Sequence, residues 1–241
     1  MKQQGPSSFR NRILNGLLEE TIARLRPDLE AIDMPLGFKI FEPDEKIPFV
    51  YFPENSMASV VANTDDGQCV EIGVIGYEGA AGLDVVFSVD SNPHDCMIQL
   101  ADGAHRIRTD KVRAEFAMGG DFQARILLFN YQLMAQVSQT TLCNRLHQVE
   151  ARLARWLLMC RDRAESNVLL LTQEFIATML GVTRVSVSVA ATALQSLKLI
   201  KYSRGRIEIL DNPGLEEFTC ECYAAVKKEY DRTNSAAFAK N

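Results

Sequence analysis

Residues 173–192 constrain the fold of this chain more than any other segment, and they read QEFIATMLGVTRVSVSVAAT. Ile176 and Leu180 are spaced to face inward on one helix, and Ala177 is small enough to let a second helix cross closely. Gly181 stands where the chain must reverse, in the left-handed conformation that only glycine adopts without steric cost. The spacing predicts a helix-turn-helix motif. An αα-hairpin without a nucleic-acid role is the alternative.

The second helix of this motif and the segment after it indicate a surface for DNA. The outward face of the helix is short, carries a single arginine and is narrow enough to enter a major groove. Residues 201–209 read KYSRGRIEI, which predicts two short strands around an Arg-Gly turn, a basic β-wing beside the helix. The predicted DNA-binding residues are Thr172, Gln173, Thr183, Arg184, Val185, Ser186, Ser188, Val189, Ser203, Arg204 and Arg206.

The charge of the chain is unevenly distributed, in a way that fits one domain meeting a polyanion. The formal net charge of the 241 residues is −5. Residues 1–144 hold 12 Lys and Arg against 20 Asp and Glu, whereas residues 145–214 hold 10 against 6. The asymmetry favours nucleic-acid binding by the C-terminal part. A chance fluctuation is the alternative, because the basic excess is modest.

Short strands are predicted in the N-terminal part, after an amphipathic helix over residues 8–26. Aromatic and β-branched residues come in runs at 49–52, 59–61 and 70–75, and the Asp65-Asp66-Gly67-Gln68 segment between the last two predicts a hairpin turn. Repeated short strands with turn signals are typical of an antiparallel barrel or sandwich.

A long helix follows, with apolar residues at 4-3-4 spacing: Phe122, Ile126, Phe129 and Leu133. Such a seam can pair with its own copy as a coiled coil, so these four residues are the predicted homodimer interface. Packing of the same stripe on the barrel of its own chain is the alternative. The helical pattern breaks near residues 144–147, and a second helix is predicted over 149–163 with its arginines outward.

The predicted fold class is α+β, with an N-terminal antiparallel β-roll, a long dimerisation helix and a C-terminal winged helix-turn-helix. The predicted domains are an effector-sensing β-roll with its N-terminal helix (1–120), a dimerisation helix and hinge (121–146), and a DNA-binding domain with a C-terminal helix (147–241).

A cytoplasmic protein without a membrane segment is expected. Residues 126–144 carry no charge, but their many amide and hydroxyl side chains would be costly in lipid, and the N-terminus lacks the apolar stretch of a signal peptide. The six cysteines include no pair of zinc spacing beyond the weak Cys220-x-Cys222 signal, so buried free thiols are predicted and no metal ligand is assigned.

The order of these elements, together with the segment TQEFIATMLGVTRVSVSVAATALQSLKLIKYSRGRIEILD, resembles the Crp–Fnr family of bacterial transcription regulators. The resemblance covers nearly the whole chain and is strongest over residues 151–210. It implies a homodimer in which a cyclic-nucleotide-binding-like domain senses a signal and repositions two winged helix-turn-helix domains on a palindrome. RNA polymerase is a further candidate partner.

The effector pocket that the resemblance implies departs from the family pattern at Gly82, Leu83, His94, Asp95 and Cys96. Members that bind cyclic AMP have a glutamate for the ribose and an arginine with a hydroxyl neighbour for the phosphate. Here the matching positions hold Leu83, His94 and Asp95. A carboxylate repels a phosphate and leucine accepts no hydrogen bond, so cyclic AMP is not expected as the effector, whose identity the sequence leaves unknown.

Two other family branches are compared on their ligand residues. The N-terminal cysteine cluster of the oxygen-sensing branch is absent, since the first cysteine is Cys69, while His94, Cys96 or His105 are open as haem ligands.

At the DNA surface, Arg184 matches the family arginine that reaches guanine, but Val185 and Val189 replace its Glu and Arg neighbours. A different half-site is therefore expected, with valines against thymine methyl groups.

Three functions follow from the sequence. The first is a sequence-specific dimeric regulator of transcription on double-stranded DNA. The second is a small-molecule or haem-dependent sensor whose pocket ligand is the main signal. The third is an enzyme, which the absence of nucleophile-elbow, zinc-protease and phosphate-loop motifs disfavours.

Overall fold

The computed structural model describes residues 9–238. The helices are α1 (Arg12–Asn15), α2 (Glu19–Leu25), α3 (Thr109–Ala117), α4 (Gly120–Leu146), α5 (Val149–Ala164), α6 (Gln173–Leu180), α7 (Arg184–Ser196), α8 (Asn212–Phe218) and α9 (Cys222–Phe238). The strands are β1 (Glu30–Met34), β2 (Lys39–Phe41), β3 (Phe49–Pro53), β4 (Met57–Asn63), β5 (Cys69–Ile75), β6 (Asp95–Leu100), β7 (Asp102–Arg108), β8 (Val168–Leu170), β9 (Ile200–Ser203) and β10 (Arg206–Ile209).

Three sheets organise these strands. In the first, β7 pairs antiparallel with β1 and β3, and its central register places Ala104 opposite Ile32 and Ile107 opposite Val50. The second has the strand order β2-β6-β4-β5, and the third, of three strands, has the order β8-β10-β9. The predicted fold class, a β-roll followed by a long helix and a C-terminal helix-turn-helix, is confirmed.

The described residues divide into two compact units, one of residues 9–59 and 74–130 and the other of 60–73 and 131–238. The core of the first unit contains large side chains that are almost fully buried, among them Phe52, Met57, Ile98 and Ile107. Burial of apolar side chains of this size is the main stabilising contribution to such a core.

The predicted N-terminal helix is interrupted, and its residue 8 lies outside the described residues. The chain forms α1 and α2, separated at Gly16, where a Cβ atom would lie 2.1 Å from the Arg125 guanidinium. Leu18, directly before α2, donates its backbone N–H to the Asp121 carboxylate instead of continuing a helix, and its side chain is 51% exposed. The prediction of one continuous helix was wrong for this reason.

The predicted hairpin turn between β4 and β5 is confirmed. Gly67 has a φ of +83°, the Thr64 N–H donates to the Gln68 carbonyl at 2.8 Å, and the Thr64 hydroxyl accepts from the Gln68 N–H at 3.1 Å. Glycine is favoured at that position because positive φ is strained for other residues.

The arginines of α5 were predicted to face outward, and this was wrong. Arg152, Arg155 and Arg163 are each at least nine-tenths buried. Arg152 donates to the Leu180 carbonyl, and Arg155 donates to the Thr140 hydroxyl at 2.9 Å. These cations are buried because they hydrogen-bond inside the second unit. They therefore add to the formal charge of that unit but not to the positive charge of its surface.

Within the described residues, no single helix has both the length and the apolar character needed to cross a membrane. Helices α6 and α7 reach the length and composition of a span only as a pair, and that pair is bent by 105°.

Candidate nucleic-acid interface

Helix α6 begins and ends at residues suited to those positions. The Thr172 hydroxyl accepts from the Phe175 N–H at 3.1 Å, which caps the helix N-terminus. Gly181 ends the helix with a φ of +60°, and its N–H bonds back to the last turn. A Cβ at Gly181 would also lie 3.0 Å from the Val70 side chain, so glycine is needed there for space as well as for conformation.

Helix α7 crosses α6 as the sequence predicted. Thr183 caps it by accepting from the Ser186 N–H at 3.2 Å. Its inner face is buried on Val187, Ala190 and Leu194. The exposed face carries Arg184 together with two valines that are unusually open for apolar side chains, Val185 at 72% exposure and Val189 at 58%. Ser186 and Ser188 are half-buried at the edges of this face.

The predicted wing is present, and it contains one strand that the sequence did not reveal. Strands β9 and β10 pair antiparallel, with Arg206 opposite Ser203. Arg204 and Gly205 both have positive φ (49° and 76°), as expected for a primed hairpin turn. Strand β8 adds to the other side of β10 and places Leu170 opposite Arg206. Ser203, Arg204 and Arg206 are all exposed.

A groove of about 410 Å³ lies between the wing and the start of α6. It brings together four of the predicted DNA-binding residues, Thr172, Gln173, Arg184 and Arg204. Two cations and the free N–H groups of a helix N-terminus suit an anionic group such as a phosphate. The predicted residues Val185 and Val189 stand on the exposed face of α7 outside this lining.

Three residues that line the groove, Glu174, Tyr202 and Gly205, were not among the predicted DNA-binding residues. The Tyr202 hydroxyl donates to the Leu171 carbonyl at 3.0 Å and its N–H donates to the Gln195 side chain at 2.9 Å, so Tyr202 holds the wing against α7. Burial raises the pKa of Tyr202, and the nearby Arg184 opposes that shift. An aromatic residue between Lys201 and Ser203 was the available signal.

The effector-pocket residues lie on two segments of the first unit. Gly82 has a φ of +86° and precedes a 3₁₀ turn at Leu83–Phe87, in which Leu83 is almost fully buried. Asp95 and Cys96 begin β6, preceded by the half-buried His94. Burial, with Asp84 and Asp95 adding to it, raises the pKa of the Cys96 thiol.

The residues considered as haem ligands are differently engaged. Cys96 is completely buried among core residues. His105 Nδ1 lies 3.0 Å from the Glu54 carboxylate, and its ring packs edge-on against Phe9. The backbone of His94 donates to the Asn92 side chain at 2.9 Å.

The predicted dimer seam faces the chain itself. Phe122, Ile126 and Phe129 are buried in the first unit, where Phe129 fills the space that a Cβ at Gly79 would occupy, 1.9 Å from its ring. Leu133 is half-buried, and its side chain would lie 3.3 Å from a Cβ at Gly73. The assignment of Phe122, Ile126 and Phe129 to a dimer interface was wrong, because these side chains are already buried in the core of their own chain.

Another face of α4 is open to solvent. It follows the same 4-3-4-3 spacing, displaced by five positions from the predicted seam. Its apolar members are partly exposed, Leu127 at 46%, Tyr131 at 44% and Met134 at 61%, and Ser138 and Thr141 continue it.

Residues 151–218 match the family model of the Crp-like helix-turn-helix domain. FixK2 from Bradyrhizobium japonicum has 15% sequence identity to the chain and a TM-score of 0.68, covering 80% of this chain and 98% of its own. No curated protein matches the chain significantly in sequence.

Two further solved structures are similar. CLP of Xanthomonas campestris, described as a c-di-GMP-responsive global regulator, has 16% identity and a TM-score of 0.66, covering 80% of this chain and 99% of its own. A CRP-family transcriptional regulator from Thermus thermophilus has 19% identity and a TM-score of 0.65, covering 78% and 95%. At these identities the likeness shows the fold.

Proposed function

From the premise that residues 151–218 are a Crp-like helix-turn-helix domain within a Crp/Fnr-type fold, we propose that this protein is a sequence-specific transcription regulator that binds palindromic DNA as a homodimer. The observation that carries the proposal is the juxtaposition of Arg184, the α6 N-terminus and the wing around one groove. The wing arginines and the capped start of α6 supply contacts to phosphates. Arg184 and the apolar face of α7 supply contacts to base edges, and DNA recognition needs both kinds of contact.

Arg184 is the base-reading residue in this proposal. It is exposed in the first turn of α7, where a guanidinium fork can reach the O6 and N7 acceptors of guanine in the major groove. Val185 and Val189 contact thymine methyl groups beside it. Thr172, Gln173, Arg204 and Arg206 contact phosphates and set the register of the helix, with Thr183, Ser186, Ser188 and Ser203 completing the polar edge.

The homodimer forms through the exposed face of α4 in this proposal, defined by Leu127, Tyr131 and Met134. Partly exposed apolar side chains at heptad spacing on a 27-residue helix are the pattern that a two-stranded coiled coil buries. A two-fold dimer presents two recognition helices to half-sites about 34 Å apart, which is one turn of B-DNA.

Cyclic AMP is not the effector of this regulator in our proposal. The buried Leu83 offers no hydrogen bond to a ribose, and Asp84 and Asp95 lie near the position where the cyclic phosphate would need a cation. Arg113 donates to the Val85 and Val89 carbonyls and is thereby engaged in holding this loop.

The test is selection of duplexes from a random pool by the purified full chain, followed by sequencing. We expect enrichment of an inverted repeat, with a preferred G·C pair in each half-site that the Arg184→Ala variant no longer selects. Enrichment of a non-palindromic sequence would contradict the dimeric mode. Equal binding to all duplexes would contradict sequence-specific recognition.

A further inference from the structure

Four potential metal ligands converge beside the break between α4 and α5. Cys143 lies in the last turns of α4, His147 follows that helix, Cys220 lies just before α9, and Cys222 is the first residue of α9. Their ligand atoms all lie within 4.8 Å of one another. All three cysteines are at least nine-tenths buried, and the side chain of His147 is 20% exposed. A nearly closed set of three sulfurs and one imidazole nitrogen results.

The spacing of these atoms fits the edges of a coordination tetrahedron. Zinc binds thiolate sulfur at about 2.3 Å and imidazole nitrogen at about 2.0–2.1 Å, which separates two sulfurs by about 3.8 Å and a sulfur from a nitrogen by about 3.6 Å. The Cys143 and Cys220 sulfurs are 3.5 Å apart, and the Cys222 sulfur is 3.4 Å from His147 Nδ1. Small adjustments of the side chains would bring these four atoms into the positions of zinc ligands.

The surroundings orient the ligands as those of a metal site do. Because His147 turns Nδ1 toward Cys222, its Nε2 faces the Glu221 carboxylate at 3.4 Å. A carboxylate behind an imidazole fixes the ring and its tautomer in many metal centres. The Gln139 amide donates to the Cys222 sulfur at 3.1 Å, an interaction that stabilises a thiolate.

We infer that Cys143, His147, Cys220 and Cys222 bind one Zn²⁺ ion. Cys₃His is an established ligand set of closed structural zinc sites, in which no coordination position is left for substrate. Binding exchanges the thiol protons for the metal and releases them to solvent, with no change of oxidation state.

Zinc accounts for the geometry better than the two other chemistries that cysteine clusters support. An iron–sulfur cluster spreads its ligands farther apart than a single ion does, because inorganic iron and sulfide lie between them. A Cys143–Cys220 disulfide would use two of the four groups and leave the convergence of His147 and Cys222 unexplained. A disulfide is also disfavoured in a reducing compartment.

The ion would join segments that lie far apart in the sequence. Cys143 and Cys220 are separated by 77 positions. Thr219 lies in the segment between α8 and α9, and its hydroxyl donates to the Ala151 carbonyl at 3.2 Å. This segment, which also contains Cys220, therefore contacts the first turn of α5. Zinc bound here would tie the end of α4 and the start of α9 together next to α5, and this role is independent of any DNA contact.

The site is tested by the zinc content of the purified full-length protein, measured by inductively coupled plasma mass spectrometry. We expect one zinc per chain in the wild type and loss of that zinc in Cys220→Ser and Cys143→Ser. Cys96→Ser, which removes an equally buried cysteine outside the cluster, is the matched control and should retain the zinc. His147→Ala is a third variant. It should disturb the folded core less than the cysteine variants, because His147 is partly exposed.

Cobalt(II) provides a readout that needs no variant. Replacement of zinc by cobalt should give the thiolate charge-transfer and tetrahedral d–d absorption of a three-sulfur, one-nitrogen site. Wild-type protein without metal, cobalt bound only by oxygen or nitrogen ligands, zinc retained in both cysteine variants, or a Cys143–Cys220 disulfide found by peptide mapping would each overturn the inference.

Discussion

The indole nitrogen of Trp156 donates a 2.9 Å hydrogen bond to the carboxylate of Glu71, and both side chains are buried. Glu71 lies on β5 of the β4–β5 hairpin, and Trp156 lies in the middle of α5. The Trp156 ring also packs at a tilt against Phe175 of α6, with the ring centroids 6.5 Å apart. One side chain thus contacts both the hairpin and the first helix of the helix-turn-helix.

We expect Trp156→Phe to destabilise the protein by about 1–3 kcal/mol, since a buried carboxylate loses a hydrogen-bond donor. Glu71→Gln is the matched variant, because its amide oxygen still accepts from the indole and only the charge is removed. The measurement is urea unfolding of the wild type and of both variants, followed by circular dichroism. A Trp156→Phe variant as stable as the wild type would show that the hydrogen bond does not contribute to stability.

The second prediction concerns the exposed face of α4. Met134→Lys should produce monomers in sedimentation analysis that keep the circular dichroism spectrum of the wild type, because Met134 is 61% exposed in the chain. Ile126→Lys should instead lower the stability by several kcal/mol, because it places a charge in the core. A Met134→Lys protein that remains dimeric, or an Ile126→Lys protein that folds normally as a monomer, would move the interface back to the predicted seam.

The helix-turn-helix and wing could be predicted from the sequence because their signals are local. Gly181, the apolar spacing around it and the Arg204-Gly205 turn all act within a few residues. The periodicity of α4 was also read correctly, but periodicity does not say which partner buries a stripe. Phe129 packs at Gly79, some fifty positions earlier, and no pattern within the helix encodes that contact.

The remaining features depend on groups that are distant in the sequence. The Glu71–Trp156 bond spans 85 positions, and the contact between the Cys143 and Cys220 sulfurs spans 77. The buried arginines of α5 misled the charge argument for a similar reason. Their long side chains hydrogen-bond to groups such as the Leu180 carbonyl, which only the folded chain brings near.

A third prediction concerns the effector. Isothermal titration calorimetry should detect no binding of cyclic AMP at concentrations well above those that saturate family members that respond to it. The reason is the combination of the buried Leu83 with the acidic Asp84 and Asp95. Micromolar binding would falsify this prediction and would mean that the ribose and phosphate are held by other residues.

Metal removal is the fourth prediction, and it follows from the zinc inference. Chelation of the wild-type protein should lower its melting temperature, and zinc should restore it, because a ligand that binds only the folded state stabilises that state. The Cys220→Ser variant should melt at the same temperature with and without chelator. If wild type and variant respond equally to the chelator, the stabilising ion lies elsewhere.

The last prediction separates base reading from phosphate binding. Arg184→Ala should cost about 1–3 kcal/mol on the selected duplex and relax the preference at one base pair per half-site, because a bidentate contact to guanine is lost. Arg206→Ala should weaken binding to selected and scrambled duplexes alike, and it should reduce the slope of log affinity against log salt by roughly one unit per lost phosphate contact.

Lys228→Ala is the control for both arginine variants, since Lys228 is an exposed cation on α9 outside the groove lining. Fluorescence anisotropy titrations on both duplexes at several salt concentrations measure all three variants. Lys228→Ala should leave affinity and salt slope unchanged. If Arg184→Ala lowers both affinities equally while Arg206→Ala changes base preference, then the wing reads the sequence and α7 lies on the phosphates, because salt slope and base preference report on different contacts.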